Sequence, residues 1–551
     1  MKNKRYYTVL KITFFFIGLL LIRTFKIQIF DGPSLSEAAY SQRLVNLQLE
    51  KMRGNILDRN EIPFTNREEK VQVIIKPAYL RGQYEDIDKL CNTLNIDSYI
   101  FQKEMEFKSE PVLFETDKDT AQKVKSLGIQ GVTLLHSLKR YTEPVASHVI
   151  GYLRKSDQIG ETGIEKFFEE VLKYNDENSV AVITDAKSNP VQGLGYRIFS
   201  ADKNSKMLHV KTTLDYHIQK IVSDVLDKYG IKGAAVVIEV NTGDIVAMVS
   251  KPDFDQNNVD RYLNSSNNEL FNRAVASYSP GSIFKIIDAA VFYESGGVMQ
   301  EYYNCEGYIR LGNISFKCHS FDQGGHGWIN LQDAFAFSCN AYFINMGLKL
   351  KPLNIINMAG KFGFGEETGI YKQGVEESCG NLPEIGKFYS DGDVANISIG
   401  QGDILATPLQ VAAMTATIAN GGIKNRINIV DSVVDSQGNK VRNLRIDEGT
   451  RVISKRTADK VRRLMEQTTR NGTGILANVD EYGGAGGKTG SAETGQVVNG
   501  EKVIHAWFTG YFPIAGPRYA VSIFVENGKS GGEAAAPIFA DIAREILIKG
   551  Y

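Results

Sequence analysis

The strongest constraint in this 551-residue sequence is a serine and a lysine three residues apart at the start of an apolar run. Residues 279–285 read Ser-Pro-Gly-Ser-Ile-Phe-Lys, in which the second serine is Ser282 and the final lysine is Lys285. Residues 286–292 then read Ile-Ile-Asp-Ala-Ala-Val-Phe. Pro280 and Gly281 favour a turn that begins a helix, and the apolar run predicts that this helix is buried. Because neighbours at this spacing share one helical face, the serine and lysine side chains should lie together.

The residue types in this segment predict nucleophilic catalysis. In the first turn of a helix, Ser282 would lie where free N–H groups and the helix dipole favour a negative oxygen. A serine hydroxyl needs a base to become a good nucleophile. A partly desolvated Lys285 would be a free amine that accepts the hydroxyl proton.

Two polar triplets follow downstream. Ser338, Cys339 and Asn340 lie within a predicted helical region, and Lys488-Thr489-Gly490 opens a late strand with Ser491 directly behind it. A serine-x-asparagine triplet also occurs at residues 265–267, whereas Lys-Thr-Gly occurs once. The three motifs in this order are therefore more specific than any one of them.

The motif set resembles that of the penicillin-recognising serine enzymes. The chain looks like the class B penicillin-binding proteins, the peptidoglycan transpeptidases, and most like the short membrane-anchored members of Gram-positive spore formers. The resemblance extends to an Arg-Gly box at Arg53, to Gly-Ile-Glu at residues 163–165, and to Gly-Gln-Gly at 400–402 ahead of Thr-Pro-Leu-Gln at 407–410.

This resemblance implies an α/β (α+β) fold. A β-lactamase-like transpeptidase domain, with a central antiparallel sheet flanked by helices, would follow an elongated mixed α+β pedestal domain and one N-terminal transmembrane helix. We expect a tail and anchor at residues 1–31, the pedestal or dimerisation-type domain at 32–205, and the transpeptidase domain at 206–551.

The hydrophobic pattern points to the same central sheet. A hairpin is predicted at residues 233–240 and 244–250, and later strands near 485–494, 504–512 and 519–526. Helices are predicted between them, near 331–350, 407–419 and 455–469, and one helix closes the chain at 534–549. Strands first and last imply a sheet assembled from both ends of the domain.

The N-terminus predicts a membrane anchor. Basic residues precede an apolar run from Ile12 to Ile22, and a helix from about Tyr6 to Phe30 is long enough to cross a bilayer with its basic end in the cytoplasm. No small-x-small cleavage site follows, which argues against a signal peptide. We expect a single-pass cell-membrane protein whose catalytic domain is extracellular.

The resemblance also implies the activity and the roles of the motif residues. Ser282 would form an acyl-enzyme on a D-alanyl-D-alanine stem peptide, or on a β-lactam, with Lys285 as base and Ser338 as proton relay. Asn340 would bind the substrate amide and orient Lys285, and Lys488 would supply positive field. The substrate-binding residues would be Thr489, Gly490 and Ser491, with the backbone N–H groups of Ser282 and Ser491 as the oxyanion hole.

No cofactor is required for this chemistry. The expected partner is a polytopic membrane glycosyltransferase of the shape, elongation, division and sporulation (SEDS) type. The alternatives are a D,D-carboxypeptidase or β-lactamase of the same fold, or a non-catalytic β-lactam-binding scaffold. The sequence does not distinguish elongation, division and spore-cortex roles. A formal net charge of -1 argues against a nucleic-acid partner.

Cysteine and histidine residues near the Ser-Cys-Asn triplet suggest a structural zinc site. The chain has five cysteines, an odd number that does not indicate a disulfide framework. The predicted ligands are Cys305, Cys318, Cys339 and either His326 or His319, with Asp322 in reserve. The alternatives are that these are simply small buried residues, or that Cys305 and Cys318 form a disulfide outside the cell.

A scaffold role is predicted for the Arg-Gly box. Arg53, Asp58 and Arg59 could form one buried ionic cluster that holds two segments together. No nucleophile accompanies these residues in the sequence.

Overall fold

The computed structural model describes residues 2–32, 35, 44–47, 53–108, 111–173, 179–183, 196–199, 207–299, 301–384, 389–498 and 500–551. The chain forms two compact units. The first comprises residues 1–52, 69–138 and 174–205, and the second comprises residues 53–68, 139–173 and 206–551. The predicted division at residues 31 and 205 stays a prediction, and its second boundary lies outside the described residues.

The helices and strands up to residue 199 are, in chain order, α1 (Lys2–Phe25), β1 (Leu44–Leu47), β2 (Ile56–Leu57), β3 (Glu68–Ile75), α2 (Pro77–Leu80), α3 (Tyr84–Leu94), α4 (Ser98–Phe107), β4 (Val112–Thr116), α5 (Lys118–Ser126), β5 (Val132–Lys139), α6 (Ser147–Ile150), α7 (Gly163–Phe167), α8 (Glu169–Leu172), β6 (Ser179–Ile183) and β7 (Tyr196–Phe199).

From residue 207 onward they are β8 (Leu208–Thr212), α9 (Tyr216–Tyr229), β9 (Gly233–Glu239), β10 (Ile245–Lys251), α10 (Lys285–Glu294), β11 (Tyr303–Cys305), β12 (Tyr308–Leu311), β13 (Ile314–Lys317), β14 (Gly327–Ile329), α11 (Leu331–Ala336), α12 (Asn340–Leu350), α13 (Pro352–Phe362), α14 (Asp391–Ser398), α15 (Pro408–Ala419), β15 (Ile423–Asn425), β16 (Val430–Asp435), β17 (Lys440–Asn443), β18 (Gly449–Arg451), α16 (Lys455–Asn471), β19 (Gly486–Val498), β20 (Glu501–Phe512), β21 (Tyr519–Val525) and α17 (Ala536–Lys549).

Helix α1 continues into one π-helical stretch, Lys26–Phe30. Among the described residues, one helix, Arg5–Phe30, is long and apolar enough to cross a membrane. Its large apolar side chains are exposed, among them Phe14, Phe15 and Leu20. A helix with no protein core around its apolar surface is suited to a lipid environment.

The first unit contains a small α+β core. Strands β4, β3 and β5 form a sheet in that order, and α3, α4 and α5 pack with it through residues such as Ile75, Leu90 and Phe101. Asp97 and Asp117 are the N-cap residues of α4 and α5, and each carboxylate accepts a hydrogen bond from a backbone N–H of the first turn. Such caps satisfy N–H groups that have no partner within the helix.

The second unit is built on a five-stranded sheet in the order β10-β9-β21-β20-β19. Each neighbouring pair is antiparallel. The first two strands come from the hairpin near residue 240 and the other three from the last part of the chain. The prediction of a central antiparallel sheet assembled from both ends of the domain is therefore confirmed.

Helices cover both faces of this sheet. Alternate residues of its inner strands therefore belong to two different hydrophobic cores. On β9, Ala235 and Val237 belong to the core that includes α9 and α17, while Val236 and Ile238 belong to the core that includes α10 and α15. A strand buried on both sides reads as a continuous apolar run, which explains the sequence of β9.

The predicted cluster of Arg53, Asp58 and Arg59 is wrong as one cluster. Arg53 pairs with Glu165 at 2.9 Å and with Glu169 at 2.8 Å. Arg59 pairs with Glu239 at 2.9 Å, and Asp58 accepts backbone N–H groups, including those of Asn60 and Ile62 at 2.7 Å. The acidic partners of the two arginines are distant in the sequence, so the local charge pattern did not identify them.

Glu165 is the centre of the ionic group that does form. Its side chain is fully buried and also accepts hydrogen bonds from Arg140 at 2.8 Å and from the Tyr141 hydroxyl at 3.0 Å. A buried carboxylate requires partners of this kind, since its desolvation is otherwise costly. The Gly-Ile-Glu segment and the Arg-Gly box are thus joined by direct contacts.

Candidate active site

Ser282 lies in a 3-10 turn, Gly281–Phe284, that leads directly into α10. Gly281 has φ 55°, and a Cβ on it would lie 2.6 Å from the Ser491 carbonyl oxygen. The indole N–H of Trp507 donates to the Ser279 carbonyl at 3.1 Å. The turn is therefore pressed against β19 and β20, and only glycine allows so close an approach.

Lys285 begins α10 and is fully buried. Its Nζ atom lies 2.8 Å from the Ser338 carbonyl oxygen, 2.8 Å from Asn340 Oδ1 and 3.2 Å from Ser338 Oγ. Burial lowers the pKa of Lys285 to about 8. In a neutral amine the two N–H groups can serve the two nearest oxygens, which leaves the lone pair to accept a proton.

Lys488 approaches the same hydroxyl from the strand side. Its Nζ lies 3.0 Å from Ser338 Oγ and 3.0 Å from the Thr489 carbonyl oxygen, and its side chain is fully buried. Burial lowers the pKa of Lys488 well below its usual value, and the nearby Lys285 adds to this effect. Two positive charges around one small hydroxyl would repel, so the pocket favours a state in which at least one of the two amines is neutral.

Ser338 lies between the two amines at a break in the predicted helix. The sequence predicts one helix over residues 331–350, but the structure contains α11 and α12, separated at Phe337 to Cys339. Ser338 has φ 55°, a left-handed conformation that is uncommon for residues other than glycine. This backbone directs both its carbonyl and its hydroxyl to Lys285.

Asn340 fixes the opposite side of Lys285. Its Oδ1 accepts from the Lys285 amine, and its Nδ2 donates to the Lys317 carbonyl at the end of β13, at 3.0 Å. One amide hydrogen remains for another acceptor. The Asn340 side chain thus connects Lys285 to the backbone of Lys317, the residue directly before Cys318.

The Lys-Thr-Gly triplet lies on β19 beside the Ser282 turn. A Cβ on Gly490 would lie 2.9 Å from the Pro280 carbonyl, so this glycine is required for the close approach. Thr489 is buried, whereas Ser491 is exposed and accepts the Gly531 N–H at 3.2 Å. The structure brings all three predicted motifs into one site.

Four of the predicted metal ligands also come together. Ligand atoms of Cys305, Cys318, His326 and Cys339 all lie within 4.8 Å of one another. Cys318 Sγ is 3.8 Å from Cys305 Sγ and 3.7 Å from Cys339 Sγ. Of the two histidines considered, His319 packs its ring edge to face on His326 instead of joining the group.

The three thiols of the cluster shift one another's pKa values in opposite directions. A hydrogen bond from the Cys339 thiol is the main cause of the lowered pKa of both Cys305 and Cys318. The pKa of Cys339 is raised, because ionisation would remove the proton that its thiol donates in hydrogen bonds to Cys305 and Cys318. All five cysteines are free thiols, so the predicted alternative of a Cys305–Cys318 disulfide is not formed.

The cluster is bonded to the helix that follows Ser338. Cys318 Sγ accepts the Ala341 N–H at 3.2 Å, and Cys339 Sγ accepts the Tyr342 N–H at 3.4 Å. Cys339 is also the N-cap residue of α12, directly before its first residue. The sulfurs therefore help to set the position of the residues on either side of Cys339.

The sequence did not single out two residues that belong to this region. Thr473 Oγ1 lies 2.6 Å from Thr489 Oγ1. Asp288 is fully buried, its carboxylate oxygens have no hydrogen-bond partner in the described part of the chain, and burial raises its pKa well above the usual value. An acidic residue inside the apolar run 286–292 was a visible signal for Asp288, whereas the Thr473 contact depends on tertiary packing.

Two protein-family models match this chain. The model of the penicillin-binding protein transpeptidase domain matches residues 233–544, more than half of the chain. The model of the penicillin-binding protein dimerisation domain matches residues 48–194. Together they include residues of both units of the structure.

Similar proteins cover nearly the whole chain. Stage V sporulation protein D of Bacillus subtilis is 29% identical over 549 residues, which make up 95% of this chain and 82% of that protein. The peptidoglycan D,D-transpeptidase MrdA of Acinetobacter baumannii is 28% identical over 596 residues, which cover 96% of this chain and 86% of that protein.

A solved structure shows the same fold. It is described as "Structural coordination of polymerization and crosslinking by a peptidoglycan synthase complex", and its matching chain has a TM-score of 0.72 and 24% sequence identity. The match covers 98% of each chain.

The environment of Lys285 predicts how the reactivity of Ser282 depends on pH. Because burial lowers the pKa of Lys285 to about 8, the neutral amine forms as the pH rises through that value. We expect the rate of Ser282 acylation by a thioester to increase from pH 6 to 9, with a midpoint near 8. Mass spectrometry of the Ser282 peptide measures this rate. A flat profile, or a rise only above pH 10, would exclude Lys285 as the base.

Proposed function

Because the chain belongs to the class B penicillin-binding proteins, we propose that it is a serine D,D-transpeptidase that cross-links peptidoglycan stem peptides and is acylated by β-lactams. The observation that carries this proposal is the Ser338 hydroxyl, which lies 3.2 Å from Lys285 Nζ and 3.0 Å from Lys488 Nζ. In this arrangement Lys285 would be the base that serves Ser282, Ser338 would be the proton relay, and Lys488 would add positive field when it is protonated.

The first step is acylation. The Ser282 oxygen attacks the carbonyl carbon between the two terminal D-alanines, and the neutral amine of Lys285 accepts the hydroxyl proton. The C–N bond then breaks, and the proton reaches the departing D-alanine amine through the Ser338 hydroxyl. An ester between Ser282 and the remaining stem peptide results.

The second step reverses these roles. An amine of a neighbouring stem peptide attacks the ester carbonyl and loses a proton along the same hydroxyl path. The C–O bond breaks, Ser282 regains its proton, and a new amide cross-links the two stems. The backbone N–H groups of Ser282 and Ser491 are proposed to bind the negative oxygen in both steps. In comparable sites, removal of one such donor raises the activation free energy by about 3 kcal/mol.

The terminal carboxylate is proposed to bind at Thr489 and Ser491. Both hydroxyls lie on β19 beyond Lys488, whose charged form attracts an anion. A β-lactam places its carboxylate in the same position relative to its reactive carbonyl. This shared geometry supports one binding mode for the stem peptide and the drug.

The same proposal includes the cellular location of the protein and its protein partner. Arg5–Phe30 would be a single-pass anchor in the cell membrane, with the chain that follows it on the extracellular side, because basic residues precede its apolar core. A polytopic SEDS-type membrane glycosyltransferase is the proposed partner. The similar solved structure, a peptidoglycan synthase complex that coordinates polymerization and crosslinking, supports this choice.

We also propose one structural Zn²⁺, held by Cys305, Cys318, Cys339 and His326. Tetrahedral zinc–thiolate bonds of about 2.3 Å place sulfurs about 3.8 Å apart, and two of the sulfur pairs lie at 3.8 and 3.7 Å. The Nδ1 atom of His326 lies 3.4 Å from Cys305 Sγ. The metal would supply the positive charge that allows three adjacent thiolates, and the ligands would brace the segment around Ser338.

A mass-spectrometric experiment tests the proposed nucleophile. After incubation of the full chain in detergent with benzylpenicillin, we expect one adduct on the Ser282 peptide and none in Ser282→Ala. The adduct should be lost slowly, because the proposed second step uses the amine of a neighbouring stem peptide and not water. With a stem peptide and an acceptor amine, cross-linked product should exceed hydrolysed product. Rapid adduct hydrolysis would indicate a β-lactamase, and dominant hydrolysed peptide a carboxypeptidase.

Metal analysis tests the proposed zinc site. We expect about one zinc per chain in the purified protein, and a fall of several degrees in Tm after chelation, because a bound metal stabilises the folded state. Cys318→Ser should lose most of the zinc. The matched control is Cys379→Ser, which changes an exposed thiol outside the cluster and should retain it. Less than a few tenths of a zinc per chain with normal activity would refute the site.

A further inference from the structure

The hydroxyl of Thr473 contacts both sides of the active site. It lies 2.6 Å from Thr489 Oγ1 on β19. The Thr473 backbone N–H donates to the Ala336 carbonyl at 3.0 Å, and its hydroxyl lies 3.3 Å from the same oxygen. Ala336 ends α11, two residues before Ser338. Thr473 therefore joins the segment that carries Ser338 to the strand that carries Thr489.

Two hydroxyls at this distance share one hydrogen bond, so one donates and the other accepts. In one arrangement Thr489 donates to Thr473, which donates to Ala336. In the other, Thr473 donates to Thr489, and the Thr489 hydrogen is free for a ligand. The exchange costs little, because the Ala336 carbonyl keeps its hydrogen bond from the Thr473 N–H.

We propose that Thr473 is a positioning residue that donates to Thr489 and so makes the Thr489 hydroxyl a donor toward the terminal carboxylate of the substrate. This rests on the proposed function, in which Thr489 binds that carboxylate. A hydroxyl that accepts one hydrogen bond donates a stronger one, since bonds in a chain polarise each other. Its bond to a carboxylate is charge-assisted.

The second carboxylate-binding hydroxyl is arranged in the same way. Ser491 Oγ accepts the Gly531 N–H at 3.2 Å, which leaves its own hydrogen free. A Cβ on Gly531 would lie 2.2 Å from the Trp507 carbonyl, so this backbone donor is fixed in a place that only glycine can occupy. Each hydroxyl thus accepts a hydrogen bond from a protein donor and keeps its own hydrogen for the substrate carboxylate.

The test compares acylation by benzylpenicillin with acylation by its methyl ester, which lacks the negative charge. In Thr473→Val, which keeps the shape and the backbone N–H, we expect the second-order rate constant for benzylpenicillin to fall about tenfold. The rate constant for the ester should change less than about twofold. Thr473→Ser, which restores the hydroxyl, should return most of the lost rate.

A double-mutant cycle shows whether Thr473 acts through Thr489. Thr489→Val should itself slow acylation by benzylpenicillin, and adding Thr473→Val should then change the rate less than about twofold. Thr415→Val is the matched control, because Thr415 and Thr509 form another hydroxyl pair at 2.6 Å that is buried outside the proposed carboxylate site. It should leave the ratio of the two rate constants unchanged.

The outcomes separate this inference from the proposed function. If the wild-type chain is not acylated by either compound, the proposed function fails. If it is acylated but Thr473→Val slows both compounds equally, or serine does not restore the rate, Thr473 is only structural and the inference is wrong. Independent losses in the double mutant would also overturn it. If the valine variant does not fold, Thr473→Ala removes the same hydroxyl and is subject to the same criteria.

Discussion

Two buried lysines that approach one hydroxyl are the constraint on which this site depends. Lys285 and Lys488 reach Ser338 from a helix and from a strand, and both are fully removed from solvent. Burial of an ammonium group is unfavourable unless oxygens surround it or it loses its proton. The fold meets this requirement with two carbonyl oxygens, one amide oxygen and one shared hydroxyl, and the same burial lowers the pKa of Lys285, as its proposed role as base requires.

The position of Ser338 is held from two directions. On one side, Cys318 and Cys339 bond to the start of α12. On the other, the Thr473 backbone bonds to Ala336 at the end of α11. The left-handed backbone at Ser338 lies between these attachments, and strained residues of this kind persist where the surrounding structure fixes them. The proposed proton relay at Ser338 and the proposed carboxylate site at Thr489 are thereby connected through a few residues.

Much of the fold could be predicted from sequence because its signals are local. The turn between β9 and β10 and the apolar runs of the late strands predicted the central sheet, and motif order predicted which polar residues would meet. The break between α11 and α12 could not be predicted, because tertiary contacts and not residue propensity impose it. The partners of Arg53, the choice of His326 over His319 and the Thr473–Thr489 pair also depend on contacts between segments distant in sequence.

Titration of the Lys285 amine by NMR is the most direct test of its role as the base. Lysines labelled with ¹³C at the ε position would be followed against pH in the full chain, with the Lys285 signal assigned through Lys285→Arg. We expect Lys285 to lose its proton near pH 8, whereas ordinary exposed lysines do so near about 10.4. A Lys285 signal that stays protonated to pH 10 would contradict this role, because no neutral amine would then be present to activate Ser282.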